Sequence, residues 1–566
     1  MAGPSGRLPI ALLTDTLDDE YVVAVLRGAI AAAKHAGVPL LGVTGGRISD
    51  PNPERAARNF VFDAVRPENA SGVVAVSSVI GSAVGPGPLT RWLSRYAGLP
   101  TYCVGVPIDG YPSIEVDNAR GIRELTQHLV QAHGCRRIGF VRGPPASAEA
   151  ETRFRSFAAT LADEGLAVEP NLVCDGDFSK ASGVAAVHTL LDKRRVDPKT
   201  VDAVVAANDL MALGFMQDLF RRQIDVPGDT RVVGFDDVDS ARLSRPALTT
   251  ARQPTELLGR RGIEAVLEVG AGKLSQLSLS LPTELVLRNS CGCTSSDTGL
   301  ADVAAAPGGG LGASFVQRRH VILAEISRAA AGRLGALGSG WEARLLDALL
   351  LELRAGGRSS FYRSFEQMLT KLERTTVEAA VVQDVLTALR RQALPCVAGV
   401  PAARDGLEDA LHEARVLASA YGECASQRRS RTVREQQRAC ESALRSALFL
   451  GAAKLSEAAA ERLPEVGVDA CVLARFAAPG DVTSAALLFG FGPGARVGSR
   501  QPIDLARLPL HPVFDHASQI RLLMPIVARD QASGAAVVSV TASPDQSLEE
   551  LRDFFGSLLE TSRAVA

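Results

Sequence analysis

The chain has 566 residues, 46% of them hydrophobic and 22% charged, with a formal net charge of −2. That length exceeds one compact domain and implies roughly three or four. The apolar content excludes large-scale disorder, and the small net charge excludes a strongly basic nucleic-acid coat over the whole chain. No apolar run approaches the ~18–20 residues needed to cross a bilayer. The stretch Leu8–Leu13 is too short for a secretory signal. Nine cysteines without a regular framework fit a reducing, cytoplasmic setting.

From residue 8 to 293 short apolar strands alternate with amphipathic helices. Strands are predicted at Leu8–Thr14, Leu40–Val43, Gly72–Ser77, Thr101–Val106, Arg137–Val141, Ala203–Ala206 and Arg231–Gly234. Helices are predicted at Tyr21–Ala36, Ala119–Ala132, Arg153–Glu164, Ser182–Leu191 and Met211–Arg222. Strand then helix, repeated, predicts an α/β fold with parallel sheets covered on both faces. Residues 294–312, containing Pro307-Gly308-Gly309-Gly310, read as a flexible linker.

Between 313 and 450 the apolar period is helical. Leu345, Leu346, Leu349, Leu350 and Leu353 trace one face; Phe361, Phe365, Met368, Leu369 and Leu372 trace another. A long connecting helix follows Pro401, and no proline interrupts it before Pro464. Along it, Leu407, Leu411, Ala414, Ala418, Tyr421 and Ala425 recur at alternating steps of four and three. That spacing serves either a dimeric coiled-coil seam or an intramolecular helical hairpin. From 451 to 566 strands are predicted at Cys471–Phe476, Ser484–Phe491, Gln519–Val527 and Ala535–Thr541. A terminal helix through Leu548, Leu551, Phe555, Leu558 and Leu559 completes a small α+β domain, separate from the first.

Two segments carry the chemistry. Ala207-Asn208-Asp209-Leu210-Met211-Ala212-Leu213-Gly214 and Val232-Val233-Gly234-Phe235-Asp236-Asp237 each close a predicted parallel strand. Ligands of open α/β sheets gather at such carboxyl ends. Asn208 offers a donor and an acceptor there, and Asp236 offers two acceptor oxygens. Gln253 follows in the extended segment Leu248-Thr249-Thr250-Ala251-Arg252-Gln253-Pro254. Each polar end could equally cap the next helix; several together point to a polar cleft. Leu17-Asp18-Asp19-Glu20-Tyr21 has the same two readings, a helix cap or an acidic mouth favouring a cationic ligand.

These segments resemble the ligand-sensing domain of the lactose/galactose-repressor (LacI/GalR) family. The stretches Ile138–Pro144 and Gly176-Asp177-Phe178 add to the resemblance, as does the ending Pro282–Cys293 with its Asn289-Ser290-Cys291-Gly292-Cys293. That ending resembles a branch in which the sensor is fused to downstream signalling modules. The resemblance implies a two-lobed type I periplasmic-binding-like sensor over 8–293, with a cleft and a hinge. It implies ligand contacts at Asp117, Arg153, Phe178, Asn208, Asp236 and Gln253. Ser156 stands where the family usually has glycine. Such a set suits a sugar or polyol, with carboxylates and amides on hydroxyls and one aromatic on the ring face; a nucleobase comes second. The family's amino-terminal helix-turn-helix has no counterpart, since only Met1–Arg7 precede the first strand. Direct sequence-specific DNA binding is therefore not expected. A homodimer and a protein output partner are.

The last segment, 451–566, resembles a GAF domain by pattern alone. The basic group Arg428, Arg429, Arg431, Arg434 and Arg438 lacks aromatic interleaving and reads as a solvated face or a site for an acidic protein. Enzyme motifs fail on inspection. Gly272-Lys273 lacks the upstream glycine of a P-loop, and Gly490, Gly492 and Gly494 lack a dinucleotide-binding context. Cys291 and Cys293 offer two thiolates without a companion His/Cys pair, so no metal and no cofactor are expected. His511 and His516 read as loop surface, and Cys471 as core. The expected function is a cytoplasmic small-molecule sensor in transcription regulation or signal transduction, and not an enzyme. The alternatives are a sensory subunit of a cyclic-nucleotide or kinase pathway, an unrecognised enzyme in the C-terminal half, or an adaptor.

Overall fold

The computed structural model describes residues 7–17, 19–272, 278–293, 311–330, 333–355, 360–372, 379–448, 452–478, 480–483, 485–493, 495–497, 502–514, 520–528, 530–540 and 547–565. Asp18, most of the linker, His516 and Gly494 lie outside them, as do the side chains of Ala425 and of Arg428, Arg429, Arg431 and Arg434. The chain forms two compact units: Met1–Ser295 with Gln436–Ala566, and Ser296–Glu435.

In the first unit, the first lobe begins with β1 (Ile10–Thr14), β2 (Leu40–Thr44), β3 (Gly72–Val76), β4 (Thr101–Gly105) and β5 (Ser113–Val116). The second lobe holds β6 (Ile138–Val141), β7 (Val173–Cys174), β8 (Ala203–Ala206), β9 (Arg231–Asp236) and β10 (Thr249–Arg252). Two short strands follow, β11 (Ser278–Leu281) and β12 (Glu284–Val286). Strands such as Ile-Ala-Leu-Leu-Thr and Gly-Val-Val-Ala-Val are buried throughout, as expected where helices cover both faces of a parallel sheet.

The second-lobe sheet runs β12-β10-β9-β8-β6-β7. The chain passes between the lobes after β5, after β10, and between β11 and β12. Helices start where the sequence supplies caps. Asp19, Asp117, Ser147 and Asn208 each accept a hydrogen bond from a first-turn amide, and Gly37 and Gly134 close helices in the left-handed conformation. These caps end the loops that leave the strands, so the same junctions that start helices place polar groups at the strand ends.

Helices Glu20–Ala36 and Thr255–Gly270 pack with unusually close backbones. A Cβ added at Gly259 would lie 1.8 Å from the Val25 carbonyl oxygen. Gly259→Ala is therefore expected to cost about 1–3 kcal/mol by forcing the helices apart. A thermal melt of the purified variant checks this.

The C-terminal strands are β13 (Val468–Phe476), β14 (Ala485–Gly492), β15 (Ala495–Val497), β16 (Pro502–Ile503), β17 (Ile520–Ala528) and β18 (Gln531–Val540). They form antiparallel pairs, as their alternation implies. The sheet is not separate from the first lobe, however. β17 pairs in parallel with β2, with Ile520, Arg521, Leu522 and Leu523 opposite Leu40, Leu41, Gly42 and Val43. The result is one twelve-stranded sheet, ordered β11-β5-β4-β3-β1-β2-β17-β18-β13-β14-β15, with β16 on β14. Apolar alternation shows that a strand is buried without saying against which partner. Phe60 meets Phe476 edge-on at 5.2 Å, and Asn69 donates to the Ala506 carbonyl at 2.7 Å. Cys471 is fully buried in this core.

The second unit is helical: Leu311–Ala330, Trp341–Ala355, Ser360–Leu372 and Ala379–Val397, with most of the long helix Pro401–Leu448. Both apolar faces read from the sequence point into its core. So does the supposed seam. Leu407, Leu411, Ala414, Ala418 and Tyr421 are buried with Val381, Val385 and Leu389 of the same chain, and Arg390 pairs with Glu408 at 2.7 Å. Of the two readings, the intramolecular hairpin is the one formed. No helix among the described residues is long and apolar enough to cross a membrane.

Candidate ligand-binding cleft

The carboxyl ends of the second-lobe strands face those of β1 and β3 across a cleft. Its centre is lined by Asp19, Tyr21, Ser78 and Val79 from the first lobe and by Glu149, Arg153, Phe178, Asn208, Asp236 and Gln253 from the second. This central space holds about 50 Å³, and two flanking spaces of about 280 Å³ each share residues with it. Their combined size falls in the range of small-molecule sites.

Arg153, on the helix Ala148–Asp163, is the cation at the centre. It is 3% exposed, and its Nε donates to Asn118 Oδ1 at 2.7 Å while Nη1 donates to the Ala207 carbonyl at 2.6 Å. The guanidinium also lies 3.9 Å from the Phe235 ring centroid, a cation–π distance. Nη1 stands 3.8 Å from Asp236 Oδ1, so the ion pair is long while the neutral acceptors are close.

Asp236 ends β9 with φ of 121°, a strained conformation for a residue with a side chain. Gln253 holds it there: its backbone amide donates to the Asp236 carbonyl at 3.2 Å and its Nε2 to Oδ1 at 2.5 Å. Gln253 Oε1 is buried and has no protein donor among the described residues. Burial pushes the Asp236 carboxyl up to about 7 despite the opposing pull of Arg153. Burial also raises Glu149 and Asp19 above the ordinary carboxylate range, and Asp15, at the cleft mouth, to about 6. Asn208 accepts from the Met211 amide and donates to the Phe178 carbonyl at 3.0 Å, which ties the aromatic to the strand end. Phe178 itself has φ of 70° and fills the space beside Gly143.

Five of the six residues named from the sequence, Arg153, Phe178, Asn208, Asp236 and Gln253, thus meet in one cavity. Asp117 is placed outside it, where it caps the helix Asn118–His133 by accepting from the Arg120 amide at 2.9 Å. Its neighbour Asn118 is the residue bonded to Arg153. Tyr21, which ends the acidic segment, lines the cleft as well, and so do Ser78 and Glu149, which carry no motif. The sequence reading passed over Asp209, which takes hydrogen bonds from Thr250 and the Val238 amide and so braces the loop after Asp236. Asp19 has both roles considered for it: it caps the helix Glu20–Ala36 and lines the cleft.

Residues 126–291 match the family of periplasmic binding protein-like domains. The α/β fold with parallel sheets described above is of that kind. The HTH-type transcriptional regulator CelR of Thermobifida fusca is 36% identical over 196 residues, which is 34% of this chain and 55% of CelR. The HTH-type transcriptional repressor CytR of Escherichia coli K12 is 25% identical over 286 residues, 50% of this chain and 78% of CytR. A solved CelR–cellobiose complex superposes with a TM-score of 0.43 at 28% identity, covering 50% of this chain and 84% of that one. The chain spans about half the length of CelR. Both relatives are named as transcriptional regulators.

Proposed function

We propose that this chain is a cytoplasmic sensor of a neutral, hydroxyl-rich small molecule, sugar-like or a polyol, that acts in transcription regulation or signal transduction. The observation that carries the reading is the surplus of acceptors in the cleft. Asp19, Glu149, Asp236 and the unpartnered Gln253 Oε1 face a space whose one central cation is already bonded to Asn118 and Ala207. A ligand that donates several hydrogen bonds satisfies them, with Phe178 against its apolar face. The described cysteines are all free thiols, in keeping with a reducing compartment. Ligand would close the lobes by binding the closed arrangement better than the open one. The resemblance further implies a homodimer and an output partner.

The acid-rich lining favours one second reading, a cationic ligand. A thermal-shift screen of the full chain against sugars, polyols, nucleobases and polyamines separates the two. Stabilisation by sugars or polyols is the expected result; stabilisation by amines alone would replace this reading with the cationic one.

For a confirmed ligand, Asp236→Asn is expected to weaken binding by about 1.5–3 kcal/mol, the worth of hydrogen bonds to a charged group. The pH dependence follows from the raised carboxyl. Between the ordinary range and about 7 the folded protein holds a proton that the unfolded chain releases. The ligand-free protein therefore loses stability as pH rises through that window. Ligand donating to the ionised form binds more tightly as pH rises from 5 to 8 and releases a proton. Titration calorimetry in two buffers of different ionisation enthalpy measures that release, and the Asn variant should release less, with Glu149 and Asp19, also raised by burial, left to contribute.

A further inference from the structure

Far along the second lobe from the cleft, four side chains of metal-binding type converge. His128 and His133 lie in the last turns of the helix Asn118–His133, and Cys291 and Cys293 follow β12 at the end of the sensor. Their ligand atoms all lie within 4.8 Å of one another. The two Nε2 atoms are 3.1 Å apart. Cys293 Sγ is 3.4 Å from each of them, and Cys291 Sγ is 3.6 Å from that of His128.

We infer that His128, His133, Cys291 and Cys293 form a structural zinc site that clasps the end of the sensor domain onto this helix. Zinc–nitrogen and zinc–sulfur bond lengths fix the edges of a tetrahedron at about 3.4 Å between nitrogens and about 3.6 Å between nitrogen and sulfur. The four distances above match those edges to within ~0.3 Å. Two thiolates, two neutral imidazoles and a divalent ion sum to zero charge, which suits a half-buried position. Binding displaces two thiol protons, so occupancy rises with pH.

The local structure explains how the set assembles. Histidines five apart would point to different faces of a continuous helix. Here His133 is the final helical residue before the left-handed Gly134, and the two rings meet edge to face at 4.8 Å. Between the cysteines, Gly292 has φ of 96°, which turns both sulfurs to the same side. Arg231 Nε donates to the Cys291 carbonyl at 3.0 Å, and the Thr249 hydroxyl contacts Cys291 Sγ at 3.1 Å. These are the second-layer contacts that hold metal ligands in place. The sequence reading found the two thiolates and no companions because the histidines stand some 160 residues earlier. At its other end the same helix presents Asn118 to Arg153, so the clasp and the cleft share one rigid element.

The test is elemental analysis of the full chain purified under reducing conditions without chelator. One zinc per chain is expected, and none in Cys291→Ser, Cys293→Ser. Cobalt(II) added to the metal-free protein should give the intense visible bands of a tetrahedral thiolate site. Single variants Cys293→Ser and His133→Gln, at half-exposed positions, guard against loss of fold. With unchanged circular dichroism, each should lose the wild-type cobalt spectrum. No zinc and no cobalt spectrum in the wild type, retention of both in the variants, or a Cys291–Cys293 disulfide under reducing conditions would overturn the site.

Discussion

Arg153→Ala is expected to destabilise the second lobe by about 3–5 kcal/mol, the cost of leaving a buried charge network without its counter-ion. Three features set that size. Arg153 is 3% exposed, so water does not replace it. Its removal leaves Asn118 Oδ1 and the Ala207 carbonyl without their donor. It also removes the charge that does most to pull the Asp236 and Glu149 carboxyls down against burial, leaving only the hydrogen bonds from Gln253 and Asn118 to do so. Without that pull both stay protonated to higher pH, so the loss should be smaller at pH 5 than at pH 8. Arg153→Met separates charge from packing, because its unbranched chain can still lie on Phe235. Hydrogen exchange of β8 and β9 in denaturant reads the second lobe without interference from the helical unit. A loss under about 1 kcal/mol at pH 8 would mean that the acids face water rather than Arg153, and would remove the acceptor surplus on which the ligand reading rests.

Much of the two-lobed α/β fold is legible in the sequence because its signals are local. Runs such as Gly-Val-Val-Ala-Val are apolar at every position, and Asp19, Ser147 and Asn208 are capping types placed just before helical periods. The cleft residues were legible for the same reason: Asn208 and Asp236 sit at the ends of such runs. Asp117 shows the limit. One residue of register decides whether a polar group caps a helix or turns inward, and here Asn118 makes the inward bond. Glu149 and Ser78 lie in ordinary helical sequence, so only the fold brings them to the cleft. Distant partners left no trace at all: the cysteine pair gave no hint of His128, and β17 gave no hint of β2. The heptad spacing from Leu407 to Tyr421 fitted two partners, and a spacing does not say whether its partner helix belongs to the same chain.

The pairing of β2 with β17 leads to the other large expected effect. A chain ended at residue 293 should not behave as an independent sensor. It would expose the edge of β2, whose residues Leu40–Thr44 are buried throughout, as an unprotected apolar strand. It would also uncover both faces of the first-lobe sheet near that edge, since Val61, Phe62 and Leu41 share a core with Val472, Leu523 and Val537. Light scattering is expected to show self-association of residues 1–293, with binding of a hydrophobic dye. Co-expression of residues 436–566 should restore a soluble species that contains both pieces. In the full chain, Leu523→Asp should reproduce the defect, because Leu523 is fully buried opposite Val43. A fragment 1–293 that stays unassociated, dye-free and as heat-resistant as the intact chain would show that the C-terminal sheet adds nothing to the lobe. The functional consequence runs through the same strand. The loop after β2 carries Gly45, Gly46 and Arg47, which line the cleft mouth with Asp15 and Asp19. Ligand that moves this loop acts on a strand hydrogen-bonded directly to the C-terminal sheet. The fragment pair should therefore bind ligand only when reassembled, and the C-terminal piece should dissociate more slowly when ligand is present, as thermodynamic linkage requires.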